Sequence, residues 1–253
     1  LPSAPQYDSL ERNGFTGWML LNFNKPVRVS STHGGYLPNN AVDENIKTYW
    51  SAATGEKGEW IETDLGGIST VNAIQINYAD QDVDSSFLGK SRGVHHQYIL
   101  YHSLDGKKWS VLIDKRRNTT DVPHDYIEMK TPVATRYIKL ENITMPTGKF
   151  AISGLRVFGK GQGSPPDTVK QFFVLRGEKD KRSAWIKWSP VAGAWAYTIY
   201  TGIAPDKLYN SIMVHNANEY YFKAMDKDQA YYFSIEAINE NGVSARTRVI
   251  KAE

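Results

Sequence analysis

The sequence predicts an all-β protein made of two sandwiches joined by a linker, and three observations carry that reading. Aromatic residues form 12% of the chain, with 15 Tyr and 7 Trp, and aromatic and β-branched side chains suit pleated, half-buried surfaces. Apolar residues recur at period two in short runs separated by turn residues, and long runs at helical period are absent. The stretch Gly159-Lys-Gly-Gln-Gly-Ser-Pro-Pro-Asp167 then interrupts the pattern with linker composition.

Each run can be placed in order. Ile74, Ile76 and Tyr78 alternate with Gln75 and Asn77, which predicts a strand with one buried face. Residues 98–102 read as the next strand, and Asp105-Gly106 predicts a tight hairpin turn into residues 109–113. Residues 136–140 and 155–158 add two more. Beyond the linker, Ala184, Ile186 and Trp188 alternate with Trp185 and Lys187, and Tyr231, Phe233, Ile235 and Ala237 alternate with Tyr232, Ser234 and Glu236. Residues 197–201 and 220–223 lie between them. Short strands in that number predict a small antiparallel sandwich.

Composition excludes several functions. A net charge of +3, with Lys and Arg scattered, offers no basic track for a nucleic acid. No apolar run reaches the roughly 20 residues of a membrane span. The absence of Cys rules out disulfides, thiolate metal sites and a Cys nucleophile. Gly159-x-Gly161-x-Gly163 is not a phosphate-binding loop, because Pro165-Pro166 and a strand-like run follow it where a helix would have to open. Neither a Gly-x-Ser-x-Gly elbow nor a His-Glu-x-x-His motif is present, so the chain is expected to be non-catalytic. It begins Leu1-Pro2 without an initiator Met, which reads as a mature product or a fragment.

Three blocks carry a family resemblance. Asn40-Ala-Val-Asp-Glu-Asn-Ile-Lys-Thr-Tyr-Trp50, then Gly58-Glu-Trp-Ile-Glu-Thr-Asp-Leu-Gly66, then Ala151-Ile-Ser-Gly-Leu-Arg-Val-Phe-Gly159 resemble, in order and spacing, the discoidin or coagulation-factor type C domain. That resemblance implies a jelly-roll sandwich over residues 22–160 and, in bacteria, a carbohydrate-binding module of the family 32 kind. Trp188-Ser-Pro190, Ala196-Tyr-Thr-Ile-Tyr200 and Tyr232-Phe-Ser-Ile-Glu-Ala-Ile-Asn-Glu-Asn-Gly242 resemble a fibronectin type III domain over residues 168–253, with 161–167 as linker. Gly14-Phe-Thr-Gly-Trp-Met-Leu-Leu-Asn-Phe-Asn-Lys-Pro26 is similar to the segment joining a family 43 glycoside hydrolase to its C-terminal sandwich, which makes residues 1–21 a connecting segment. These resemblances imply an accessory region of a secreted, periplasmic or cell-surface enzyme, a xylosidase or arabinosidase, monomeric and partnered by plant polysaccharide and by its own catalytic domain.

The candidate ligand residues follow from the loops. The segments 32–36, 80–96 and 116–124 are the candidate loops at one end of the sandwich, and the middle one is long, as functional loops on a rigid scaffold tend to be. A pyranose ring has an apolar C–H face and hydroxyl edges, so Tyr36 or Phe87 is expected to stack on the face. Asp82, Arg92, His95 and His96 are expected to pair the hydroxyls. His95 and His96 do not form one metal site, because neighbours on an extended segment point opposite ways. Trp50, Trp60 and Trp188 are expected in or beside the cores. The resemblance also implies a structural Ca²⁺ at Asp43, Asn45 and Thr48, although Gly154 stands where the family often has a Glu ligand. The alternative is that Asp43 and Thr48 only hydrogen-bond their own turn. Two other functions stay open: sandwiches that pack on a catalytic domain without binding sugar, and membrane adhesion through Phe87-Leu88.

Overall fold

The structure is a computed structural model that describes residues 17–84, 86, 95–223 and 225–253. The chain divides into two compact units, with the boundary between Gln162 and Gly163. Strands dominate both, and the helical element among the described residues is a 3-10 turn at Pro38–Ala41.

The first unit contains β1 (Met19–Leu20), β2 (Val27–Val29), β3 (Trp50–Ser51), β4 (Trp60–Tyr78), β5 (Gln97–Ser103), β6 (Ser110–Asp114), β7 (His124–Thr144) and β8 (Ala151–Gly161). All of its pairings are antiparallel, in the order β1-β8-β4-β7-β5-β6, with β2 on β4 and β3 on β8. The sequence pattern predicts short strands, yet β4 and β7 span 19 and 21 residues. The reason is that each serves two layers. The start of β4 (Ile61, Thr63) pairs with Leu140 and Ile138 of β7, and its end (Ile74, Ile76) pairs with Ile127 and Asp125. Register breaks at Asp64/Ser69 and Val71/Ala73 separate the halves, and such irregularities bend a strand and raise its twist. The first layer is therefore β2, early β4, late β7, β5 and β6. The second is early β7, late β4 and β8, with β1 and β3 on β8.

The two inner faces close on one core. Trp50, Ile61, Ile74, Ile76, Leu100, Ile138, Leu140, Phe150 and Ile152 are fully buried there. Trp50 meets Phe150 edge-on at 5.5 Å, a favoured aromatic geometry. Trp60 is only half-buried, beside the core. The segment Trp18-Met-Leu-Leu21 departs from its reading as a connector. Met19 and Leu20 pair with Gly159 and Phe158, and Met19 and Leu21 are buried. Asn22 fixes this entry by giving its amide to Leu155 O at 2.7 Å and accepting from Val157 N at 2.9 Å. The expected tight turn at Asp105-Gly106 is also different, since the connection runs over residues 104–109. Asp105 Oδ1 accepts from the amides of Lys107 and Lys108, at 2.8 Å each, and this side-chain closure widens the loop beyond a two-residue hairpin.

The second unit contains β9 (Phe172–Arg176), β10 (Ala184–Trp188), β11 (Ala196–Gly202), β12 (Asn210–His215), β13 (Glu219–Phe222), β14 (Tyr232–Asn239), β15 (Gly242–Val243) and β16 (Ile250–Lys251). One sheet has the order β13-β10-β9, and the other β12-β11-β14-β15 with β16 on β14. Their core holds Val174, Ile186, Trp188, Tyr197, Ile199, Phe233 and Ile235. Residues 161, 163 and 164 of the expected linker are engaged by the units themselves. Gly161 closes β8. Gly163 N donates to Asn241 Oδ1 at 2.9 Å, and Ser164 O accepts from Asn239.

Replacing Trp50 by Ala empties the centre of the first core and is expected to cost about 3–5 kcal/mol in urea unfolding. Ile46→Ala, at a position 88% exposed, is expected to stay within about 0.5 kcal/mol.

Candidate functional site

The antiparallel pairing brings the loops after β2, β3, β4, β6 and β7 to one end of the first sandwich, where backbone hydrogen bonds knit them together. His33 N donates to Ser51 O at 2.8 Å, Phe150 N to Thr54 O at 3.0 Å and Lys149 N to Gln81 O at 2.9 Å. The core reaches this rim through Trp50, whose indole N–H donates to Ser31 O at 3.2 Å. Asn142, itself buried, gives its amide to Gly55 O and Glu56 O at 2.8 and 2.9 Å.

Glu59 collects the hydroxyls of three neighbouring positions. Thr54 and Ser31 each donate to it at 2.7 Å, and Ser30 donates as well. Burial works to raise the Glu59 carboxyl, but the hydroxyls of Ser30, Thr54 and Ser31 outweigh it and hold the group below the ordinary carboxylate range.

On this frame stands a row of three rings. His33 stacks on Tyr36 with centroids 5.7 Å apart, and Tyr36 stacks on Tyr49 at 4.6 Å. All three rings are half-buried. Beside them the Tyr49 hydroxyl donates to Gln81 Oε1 and the Gln81 amide donates to Asp82 Oδ1, at 2.7 Å each. Lys149 forms an ion pair with the exposed Asp82. Burial, then the neighbouring Tyr36 hydroxyl, pushes the Tyr49 hydroxyl up to about 12, so it stays protonated and remains a donor. Asp82 has φ +53, in the left-handed region that non-glycine residues rarely adopt. The backbone there is pinned by Gly148, where an added Cβ would stand 2.3 Å from Gln81 O. Only glycine fits this approach, which sets Lys149 against Asp82.

The expected ligand residues separate accordingly. Tyr36 and Asp82 come together at the rim. Phe87 and Arg92 lie outside the described residues, as does the Phe87-Leu88 pair. His95 is half-buried. His96 turns away from its expected role, because its ring stacks on Tyr78 at 3.6 Å and its Nδ1 is buried without a hydrogen-bond partner. Burial and the adjacent His95 pull the His96 imidazole down to about 4, so it packs there as a neutral ring. Alternation along an extended segment separates the two histidines.

His33, Tyr49, Gln81 and Lys149 were not singled out from the sequence. A signal existed for Tyr49: next to the fully buried Trp50 on an extended segment, it must face outward. Lys149 had no such signal, since its place depends on a close approach between loops far apart in sequence.

The residues expected to hold Ca²⁺ are engaged with one another. Asp43 Oδ1 accepts from Asn45 N at 2.8 Å, and its Oδ2 accepts from Thr48 Oγ1 at 2.7 Å. Asn45 Oδ1 accepts from Lys47 N at 3.1 Å. The donor set does not fit a hard cation, which takes six to eight oxygens. The side-chain oxygens of Asp43 and Asn45 serve the turn.

The site thus offers stacked aromatic surface beside a carboxylate, an ammonium, an amide and a phenol. That combination suits a flat ligand with an apolar face and a polar edge.

The F5/8 type C domain model matches residues 26–155. Among solved structures, chitosan-binding module 1 of a chitosanase/glucanase from Paenibacillus sp. IK-5 is 24% identical. The match covers 56% of this chain and 99% of that one, at a TM-score of 0.45. A fucose binding module from Streptococcus pneumoniae is 18% identical, over 58% of this chain and 99% of that one, at 0.44. The family 32 CBM of Clostridium perfringens NanJ, in complex with galactose, is 17% identical, over 53% and 93%, at 0.44. No curated protein matches the chain in sequence.

The Asp82 carboxyl is held below its ordinary value, first by the Lys149 ammonium and then by the Gln81 amide. A lowered carboxylate pKa favours the ionised form, so the pair is intact above about pH 4 and is lost only as the pH falls through the lowered value. An NMR titration is expected to find the Asp82 midpoint below that of a free aspartate, and Lys149→Met is expected to bring it back up.

Proposed function

This chain belongs to the F5/8 type C domain family, and from that premise we propose that its first sandwich is a non-catalytic carbohydrate-binding module. The observation that carries the reading is the His33–Tyr36–Tyr49 ring row beside the exposed Asp82 and its half-buried partner Lys149. The rings supply surface for a pyranose face, and Asp82, Lys149 and the Tyr49–Gln81 pair supply acceptors and donors for its hydroxyls. The loops that carry them are already joined by hydrogen bonds, so little order has to be gained on binding.

The wider role rests on the resemblances in the sequence. The region is an accessory part of a secreted, periplasmic or cell-surface glycoside hydrolase, and it tethers a xylosidase- or arabinosidase-type catalytic domain to plant polysaccharide as a monomer. The second unit, with its three-stranded and larger sheets, acts as a fibronectin type III-like spacer. Tethering raises effective concentration, so weak affinity at a single site suffices. No helix among the described residues is long and apolar enough to cross a membrane.

A second reading draws on a different observation. Phe173, Leu175, Trp185 and Tyr221 are 54%, 52%, 44% and 40% exposed on the β13-β10-β9 sheet. In register, Trp185 lies between Leu175 and Tyr221. Such a face favours packing of the second unit against a further domain.

Affinity electrophoresis of the full chain in gels of xylan, arabinan and galactan is expected to show retardation by at least one polymer. Tyr36→Ala is expected to weaken it about tenfold or more, equivalent to about 1.4 kcal/mol, while Tyr36→Phe keeps most of it. Retardation by none of the polymers overturns the carbohydrate reading and leaves the packing role.

A further inference from the structure

The turn over residues 43–48 is where the family resemblance implies a cation, and the structure supplies a positive charge there from the chain itself. Gly154 has no side chain to offer. A Cβ added at Gly154 would stand 3.1 Å from Arg156 Nη1 and 3.0 Å from Asn77 Nδ2. Arg156 lies two residues further along β8, on the same face of the strand. Its guanidinium fills the space that a longer side chain at position 154 would enter.

That guanidinium is bound to the turn. Arg156 Nε donates to Glu44 Oε1 at 2.6 Å, and the two side chains are 18% and 21% exposed. Glu44 has φ +58, an unfavourable conformation for a residue with a Cβ, so the turn needs an anchor at this point. The adjacent Asp43 is spent on the amide of Asn45 and the hydroxyl of Thr48. A divalent ion brought into this space would meet a fixed positive charge at close range, with the polar side chains around it already committed. The ion would find Glu44 already neutralised by Arg156 and would have to break that pair to use its carboxylate.

We propose that the Arg156 guanidinium replaces the cation: it neutralises Glu44, ties the 43–48 turn to β8, and leaves the first sandwich fully stable without a bound metal. The inference concerns the opposite partner of the turn and does not depend on the sugar reading. An Arg is suited to this exchange because it stays protonated in proteins and directs several donors from one rigid plane.

Two measurements on the full chain test it. In calorimetric melting, the wild-type transition is expected at the same temperature in a chelator and in millimolar Ca²⁺, and titration with Ca²⁺ is expected to release no binding heat. Arg156→Met and Glu44→Gln are each expected to lower the melting temperature by roughly 3–8 °C. The double variant is expected to fall no further than the weaker single variant, because the two residues act as one pair. If Arg156→Met fails to fold, Arg156→Lys provides the comparison, since it keeps the charge but loses the planar fork and is expected to show a smaller loss. A rise of several degrees with Ca²⁺ in the wild type, or losses that add in the double variant, would overturn the proposal.

Discussion

The pairing of β4 with β7 is the constraint on which the first sandwich depends. Each strand runs through both layers, and the register breaks at Asp64/Ser69 and Val71/Ala73 let the pair bend without separating. At the bend, Asp64 holds Arg136 through two contacts of 2.8 Å and accepts from Gly66 N at 2.9 Å. A charge-assisted, two-pronged contact of this kind fixes direction as well as distance. The facing halves then enclose the core around Trp50, and the strand ends converge on one rim. A break in this pairing would remove the layers, the core and the rim together.

The rim inherits its stiffness from that frame. Its loops contain few regular elements, yet Glu59, Asn142 and the backbone contacts of Gln81 and Phe150 tie them to one another. Hydrogen bonds made away from water favour one arrangement over several. The ring row and the Asp82–Lys149 pair are therefore held in place before any ligand arrives.

Two ion pairs of the first sandwich differ in solvent access. At Asp82 the carboxylate is exposed while its partner Lys149 is mostly covered. At Glu44 the pair with Arg156 is mostly withdrawn from solvent, so it acts as a fastening. Ion pairs open to solvent are weakened by water, whereas withdrawn pairs hold their partners more firmly.

Much of the fold was legible in the sequence because period-two alternation is a local property. The runs at Ile74–Ile76, Ala184–Trp188 and Phe233–Ala237 became strands whose apolar positions face a core, and the linker composition lies where the two units divide. Tyr36 and Asp82 could be nominated because loop chemistry is also local. Other features depended on contacts across long sequence distances. Lys149 reaches Asp82 only because Gly148 lets two loops approach, His96 packs on Tyr78 at the end of β4, and Arg156 faces Glu44 across 112 positions. Residue type and spacing determine which face of a strand is apolar; which distant groups share a site is decided by strand pairing and close packing, and no local pattern encodes it.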